Sequence, residues 1–174
     1  MKRALAAVAA TLTLAGAAAP LAAQDYSAER VKKSVDQNDL LAVVGSLGHQ
    51  VREQGTADDI FVAAESEDGV TYVLFGSACN VNEVSGCQGI MMQVRYDLPP
   101  GTTAQTLAAA NLEQAALNTW ADFENKTLGF TRYVVLDHGV TMANIRENVN
   151  VLLAITEEAY PIAVGEPVES APAS

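Results

Sequence analysis

The apolar positions of this chain change period several times, and each change marks an element. Leu40, Leu41, Val44 and Leu47 recur on one helical face, with Asn38 or Asp39 placed to cap the start and Gly48 to end the run. His49 to Gln54 then alternates weakly, and Asp59 to Ser66 contains Ile60, Phe61 and Val62. Glu67-Asp68-Gly69 is a tight turn into a strand from Val70 to Ala78. A further strand, Ile90 to Leu98, is stopped by Pro99-Pro100-Gly101.

Thr102 or Thr103 can cap a second, alanine-rich helix through Trp120, with Ala109, Leu112, Ala116 and Trp120 along one face. Leu128 to Leu136 suits a buried strand, and Asp137-His138-Gly139 is a turn. Thr141 caps a last helix whose stripe is Ile145, Val149, Leu152 and Leu153, ending near Glu158. Asp25 to Asp36 has only Val31 and Val35 at helical spacing and reads as a frayed helix or a mobile leader. Beyond Tyr160, proline, glycine and small residues predict a disordered tail. By its stronger signals the order is α-β-β-β-α-β-α, with one or two strands after the second helix. That order predicts an α+β domain with a mainly antiparallel sheet and helices packed on one face.

The first 23 residues follow a different rule. Lys2 and Arg3 precede an apolar run from Ala4 to Leu14, and small residues from Ala15 to Ala23 lead into Gln24-Asp25. This is the pattern of a secretory signal peptide cleaved after Ala23, and the run is too short for a membrane span. The expectation is a periplasmic product, with release from the cell as the alternative. The domain plan is a signal peptide over 1–23, a leader over 24–37, one α+β domain over 38–158 and a tail over 159–174. Removing residues 1–23 leaves eight basic against 21 acidic residues, a net charge of −13. Such a surface repels phosphate backbones and anionic headgroups, which argues against nucleic acid and against membrane insertion of the mature chain.

Cys79 and Cys87 are the only cysteines, and export would carry both into an oxidising compartment. They flank the turn formers Asn80, Asn82, Ser85 and Gly86 between two strands, so a hairpin would place them opposite each other. A structural disulfide is expected, rather than a redox pair of the Cys-x-x-Cys kind.

The candidate chemistry is sparse. His49 and His138 are far apart in sequence, and Asp137-His138 is the only local acid and histidine pair. Adjacent turn residues point apart, which makes a poor metal or general-base site. Ser77 after Gly76 only imitates a nucleophile elbow. The acidic groups Asp58-Asp59, Glu65/Glu67/Asp68 and Glu157-Glu158 read as solvated faces. No catalytic residue, cofactor or metal is therefore expected. Two features suit binding instead. Trp120 and Phe123, at the end of the second helix, pack into the sheet or rim a groove for a peptide, and the consecutive strand residues Met91 and Met92 must face opposite sides of the sheet, leaving at least one outside the helix-covered face.

The helix ending Leu47-Gly48, the turn Glu67-Asp68-Gly69, Gly76 to Cys79 followed by Cys87, Asn118 with Trp120, and Gly139-Val140-Thr141 occur in an order that resembles the YbjN-type bacterial family, named for sensory transduction regulation. The resemblance implies a type III secretion chaperone-like fold and a non-enzymatic, chaperone-like or protein-binding role, acting on a protein partner or a second copy. The alternative expectation is a small periplasmic enzyme or ligand-binding protein using carboxylates with His138.

Overall fold

Asp36 starts the first helix, not Asn38 or Asp39. In the computed structural model, which describes residues 26–166, its side chain accepts from the Asp39 backbone N–H, and the Asp39 carboxylate accepts from the Asp36 backbone N–H. This reciprocal box opens α1, Gln37–Ser46. The helix ends as its sequence requires: Gly48 takes φ +74°, and the N–H groups of Gly48 and His49 reach back to the carbonyls of Gly45 and Val44. Asp39 is 4% exposed and receives Arg30 at 3.0 Å and Lys32 at 2.6 Å. The segment ahead of α1 is therefore tied down and extended, not a frayed helix. Val31–Lys32 forms β1, which pairs antiparallel with β8, Val140–Thr141, and Val35 bridges to Cys87. The signal peptide expected over 1–23 lies outside the described residues, as does the chain beyond Glu166.

The main sheet has six strands, all antiparallel: β2 (Gln50–Gln54), β3 (Phe61–Glu65), β4 (Thr71–Cys79), β5 (Cys87–Asp97), β6 (Asn118–Asp122) and β7 (Thr127–Val135). Their spatial order is β2-β3-β4-β5-β7-β6. The weakly alternating segment after α1 is thus a true edge strand. The expected acidic turn joins β3 to β4, with Gly69 at φ +81°. Cys79 and Cys87 face each other in register and are bonded, with Cα atoms 3.8 Å apart.

Two further boundaries depart from the sequence expectation. The second helix, α2, spans Ala104–Glu113 and does not reach Trp120, which stands on β6. Alanine favours continuing the helix, but Asn118–Asp122 gains a full antiparallel ladder on β7. Asn111 fixes the break by donating to the Thr119 carbonyl and accepting from the Thr119 N–H, both at 2.8 Å. The last helix, α3, starts at the Thr141 cap but runs Met142–Ala163, past Glu158 and through Pro161. Proline there removes one backbone hydrogen bond. The burial of Ala159 and Ala163, and the Thr106 hydroxyl donating to the Ala163 carbonyl at 2.8 Å, offset that loss.

All three helices lie on one face of the sheet. Val62, Tyr72, Leu74, Ile90, Met92 and Phe130 point toward them and are fully buried against Leu40, Ile145, Val149 and Leu152. The fold is α+β, with the sheet's other face left uncovered by helices. No described helix is long and apolar enough to cross a membrane.

Candidate functional site on the open face of the sheet

Strand pleating decides which side chains share the uncovered face, and register decides which of them meet. Met91 lies between Phe75 on β4 and Tyr133 on β7, and Gln93 lies between Val73 and Thr131. Trp120 on β6 stands opposite Gly129. Gly129 is needed there: a Cβ on it would fall 2.1 Å from Trp120 Cζ2, so the indole lies flat across the bare backbone.

These neighbours are locked by hydrogen bonds. Trp120 Nε1 donates to Thr131 Oγ1 at 2.8 Å, Gln93 Nε2 donates to the same oxygen at 3.0 Å, and the Arg95 guanidinium donates twice to Gln93 Oε1. Arg95 is thereby held with its Cζ 5.6 Å from the Phe75 ring centroid and 6.0 Å from that of Trp120. Both distances are within cation–π range. Gln93 is only 6% exposed although it belongs to the open face, because Arg95 and its neighbours cover it. The patch extends to Phe61, whose ring centroid is 6.4 Å from that of Phe75, and to Tyr133, which is 51% exposed with its hydroxyl 3.2 Å from Ser77 Oγ.

Of the residues proposed for a partner surface, Met91 and Trp120 are in this patch. Met92 is fully buried under the helices, and Phe123 sits half-exposed in the turn after β6. The remaining members, Phe61, Phe75, Gln93, Arg95 and Tyr133, were missed. Their shared parity within each strand was visible in the sequence, but the pairing that brings four strands' residues together was not.

The carboxylate and His138 arrangement is not assembled. His138 is fully exposed on the turn after β7, and among the described residues its one acidic partner is the adjacent Asp137, at 3.8 Å. Among the described residues no group of three His, Cys, Asp or Glu side chains is placed to hold a metal ion. Ser77, the imitation nucleophile, is engaged with Tyr133.

No protein-family model matches the chain, and no curated protein matches it. Solved structures do. A chain in the crystal structure of the ExsC–ExsE complex aligns with a TM-score of 0.50 at 13% identity, over 77% of this chain and 95% of that one. A chain of the HopA1–SchA chaperone–effector complex aligns with a TM-score of 0.49 at 12% identity, over 71% and 96%. YbjN from E. coli aligns with a TM-score of 0.45 at 16% identity, over 72% and 85%. At such identities only the fold is shared. The fold implied by the motif order is the fold found, with three helices on one face of an antiparallel sheet, and the chain of the ExsC–ExsE complex shares its overall fold.

Proposed function

We propose that this protein is an exported, non-enzymatic binding module of chaperone-like type, which holds a segment of another protein against the open face of its sheet. The observation that carries this reading is the interlocked patch of Phe75, Arg95 and Trp120. Its side chains are already ordered by the Gln93 and Thr131 hydrogen bonds, so little rotamer freedom is lost when a partner docks. Tryptophan, tyrosine and arginine are also the residues that dominate interface energies. The ExsC–ExsE structure is a complex of two proteins, which supports a protein as the ligand class. A second copy of this chain fits less well, since two bodies each carrying −13 repel on approach. The pattern of residues 1–23 and the Cys79–Cys87 disulfide support export to the periplasm.

The test is affinity capture from a periplasmic extract of the source organism with wild-type protein, Met91→Asp, Tyr133→Asp and the remote surface variant Gln105→Glu on α2. A single protein retained by wild type and Gln105→Glu but lost to the two open-face variants supports the proposal. Equal retention by all four refutes this surface, and a turnover that survives purification refutes the non-enzymatic reading. Sedimentation of the bait alone separates self-association from partner binding.

A further inference from the structure

Arg95 projects from a central strand onto the open face, and its guanidinium is held in place before any partner arrives. Nε and Nη2 both donate to Gln93 Oε1, which fills the side-on edge of the group. Gln93 is fixed in turn by Thr131, whose hydroxyl oxygen also receives the Trp120 indole N–H. The rings of Phe75 and Trp120 flank the group, 5.6 and 6.0 Å from Cζ. The end-on edge, Nη1 with the second N–H of Nη2, is left over. Among the described residues Nη1 meets no acceptor, and no carboxylate lies within ion-pair range of the guanidinium. By contrast Arg52, on the edge strand β2, pairs with Glu65 at 2.7 Å, and Arg30 with Asp39 at 3.0 Å. The sequence holds 21 acidic against 10 basic residues, yet this cation has no acid of its own.

The surface beside that edge is apolar. Met91 and Tyr133 face each other one step along the strands from Gln93 and Thr131, and Val135 lies one step beyond. Tyr133 is 51% exposed and Val135 62%. A guanidinium flanked by two rings is less fully hydrated than one on a bare surface, so a carboxylate docking there loses less of its attraction to water.

We infer, resting on the open-face reading, that the protein segment held on this face presents an aspartate or glutamate side chain to the end-on edge of Arg95. Aromatic or aliphatic residues two to four positions away in that segment lie on Met91, Tyr133 and Val135. Two parallel N–H groups match the two oxygens of a carboxylate, a fit that an amide or a hydroxyl does not reproduce. Two residues of extended chain advance roughly 7 Å, which is also the repeat of same-face residues along the strands beneath. The carboxylate comes from within a segment and not from a chain terminus, because the patch continues on both sides of the guanidinium, to Phe75 on β4 and Trp120 on β6. The acidic excess of the chain opposes the approach of such a segment, but that field is screened over about 8 Å in physiological salt, whereas the pair forms in contact.

Panning a phage-displayed library of short random peptides lacking tryptophan on the purified, disulfide-bonded protein, and in parallel on Arg95→Gln, tests the inference. The wild-type pool should be enriched in Asp or Glu near aromatic or aliphatic residues, and the Arg95→Gln pool should not. The leading peptide is then made with its acid and with the matching amide, and binding is followed by the emission of Trp120, the sole tryptophan. The acid should bind wild type about tenfold more tightly than the amide, and the two should bind Arg95→Gln alike. Arg95→Lys keeps the charge without the fork and should retain about a threefold preference. Equal binding of acid and amide to wild type, or a preference that persists in Arg95→Gln, overturns the inference and makes Arg95 a cover for Gln93; loss of those same peptides in Met91→Asp would leave the open-face reading standing. Peptides indifferent to Met91→Asp, or no enrichment at all, overturn both. A wild-type dimer in sedimentation that Arg95→Gln dissolves overturns it in favour of a second copy.

Discussion

Replacing Gly129 by Ala should destabilise this protein although it adds one methyl group to a strand. The new Cβ would lie 2.1 Å from Trp120 Cζ2 and 2.3 Å from Cε2, whereas carbon atoms pack at about 3.5 to 4.0 Å. The indole must therefore move by roughly 1.5 Å. Such a shift stretches the 2.8 Å Trp120–Thr131 hydrogen bond out of range and carries the ring away from Arg95. Overpacking of this kind costs about 1 to 3 kcal/mol, and the lost hydrogen bond about 0.5 to 1.5 kcal/mol. Reduced freedom of the unfolded chain returns about 0.4 to 1 kcal/mol. The net expectation is a loss of about 1 to 3 kcal/mol, measured as a lower urea midpoint with unchanged slope. Trp120 is the sole tryptophan, so its emission reports the same event independently and should shift to the red. Gly89→Ala is the control. There the three atoms nearest the new Cβ all belong to the end of the half-exposed Tyr133, which can swing into solvent at a cost of about 0.5 kcal/mol or less. Equal midpoints for the two variants, with unaltered Trp120 emission, would refute the reasoning.

Other consequences follow from the same structure. Asp39→Ala removes both cationic partners' acceptor and one arm of the α1 capping box, and should lower stability by about 2 to 4 kcal/mol in chemical denaturation. Reducing the Cys79–Cys87 bond, whose sequence separation is eight, should cost about 2 to 3 kcal/mol, seen as a shift of the thermal midpoint with added reductant. His49 has a folded-state pKa below its unfolded value of 6.5, so the unfolded state binds the extra proton first. Its contribution is full above pH 6.5 and is lost as pH falls from there toward the folded pKa; the urea midpoint of wild type should drop in that window more than that of His49→Gln.

Much of the architecture was legible because its signals are local. The stripe of α1, Gly48 at its end, the Glu67-Asp68-Gly69 turn, the Thr141 cap and the paired cysteines each depend on a few neighbouring residues. The same locality misled at α2. An alanine-rich stretch through Ala115 and Ala116 favours helix, and only the distant β7 strand and the side chain of Asn111 make Asn118–Asp122 a strand. Pro161 likewise marks a helix end locally, yet α3 continues because Ala159 and Ala163 are buried against the rest of the molecule.

The candidate site lay furthest from view. Alternation alone places Met91, Gln93 and Arg95 on one face of β5 and Met92 on the other, and the structure agrees. Alternation cannot say that Trp120 will lie over Gly129, or that Arg95 will stand between Phe75 and Trp120, since these residues come from strands whose pairing is non-local. Helical period, turns, caps and the cysteine hairpin are written in short stretches of sequence, because backbone sterics and nearby hydrogen bonds set them. The order of the strands, the length of α2 and the assembly of the open-face patch came from long-range pairing, because hydrogen-bond ladders and burial act between residues far apart in the chain.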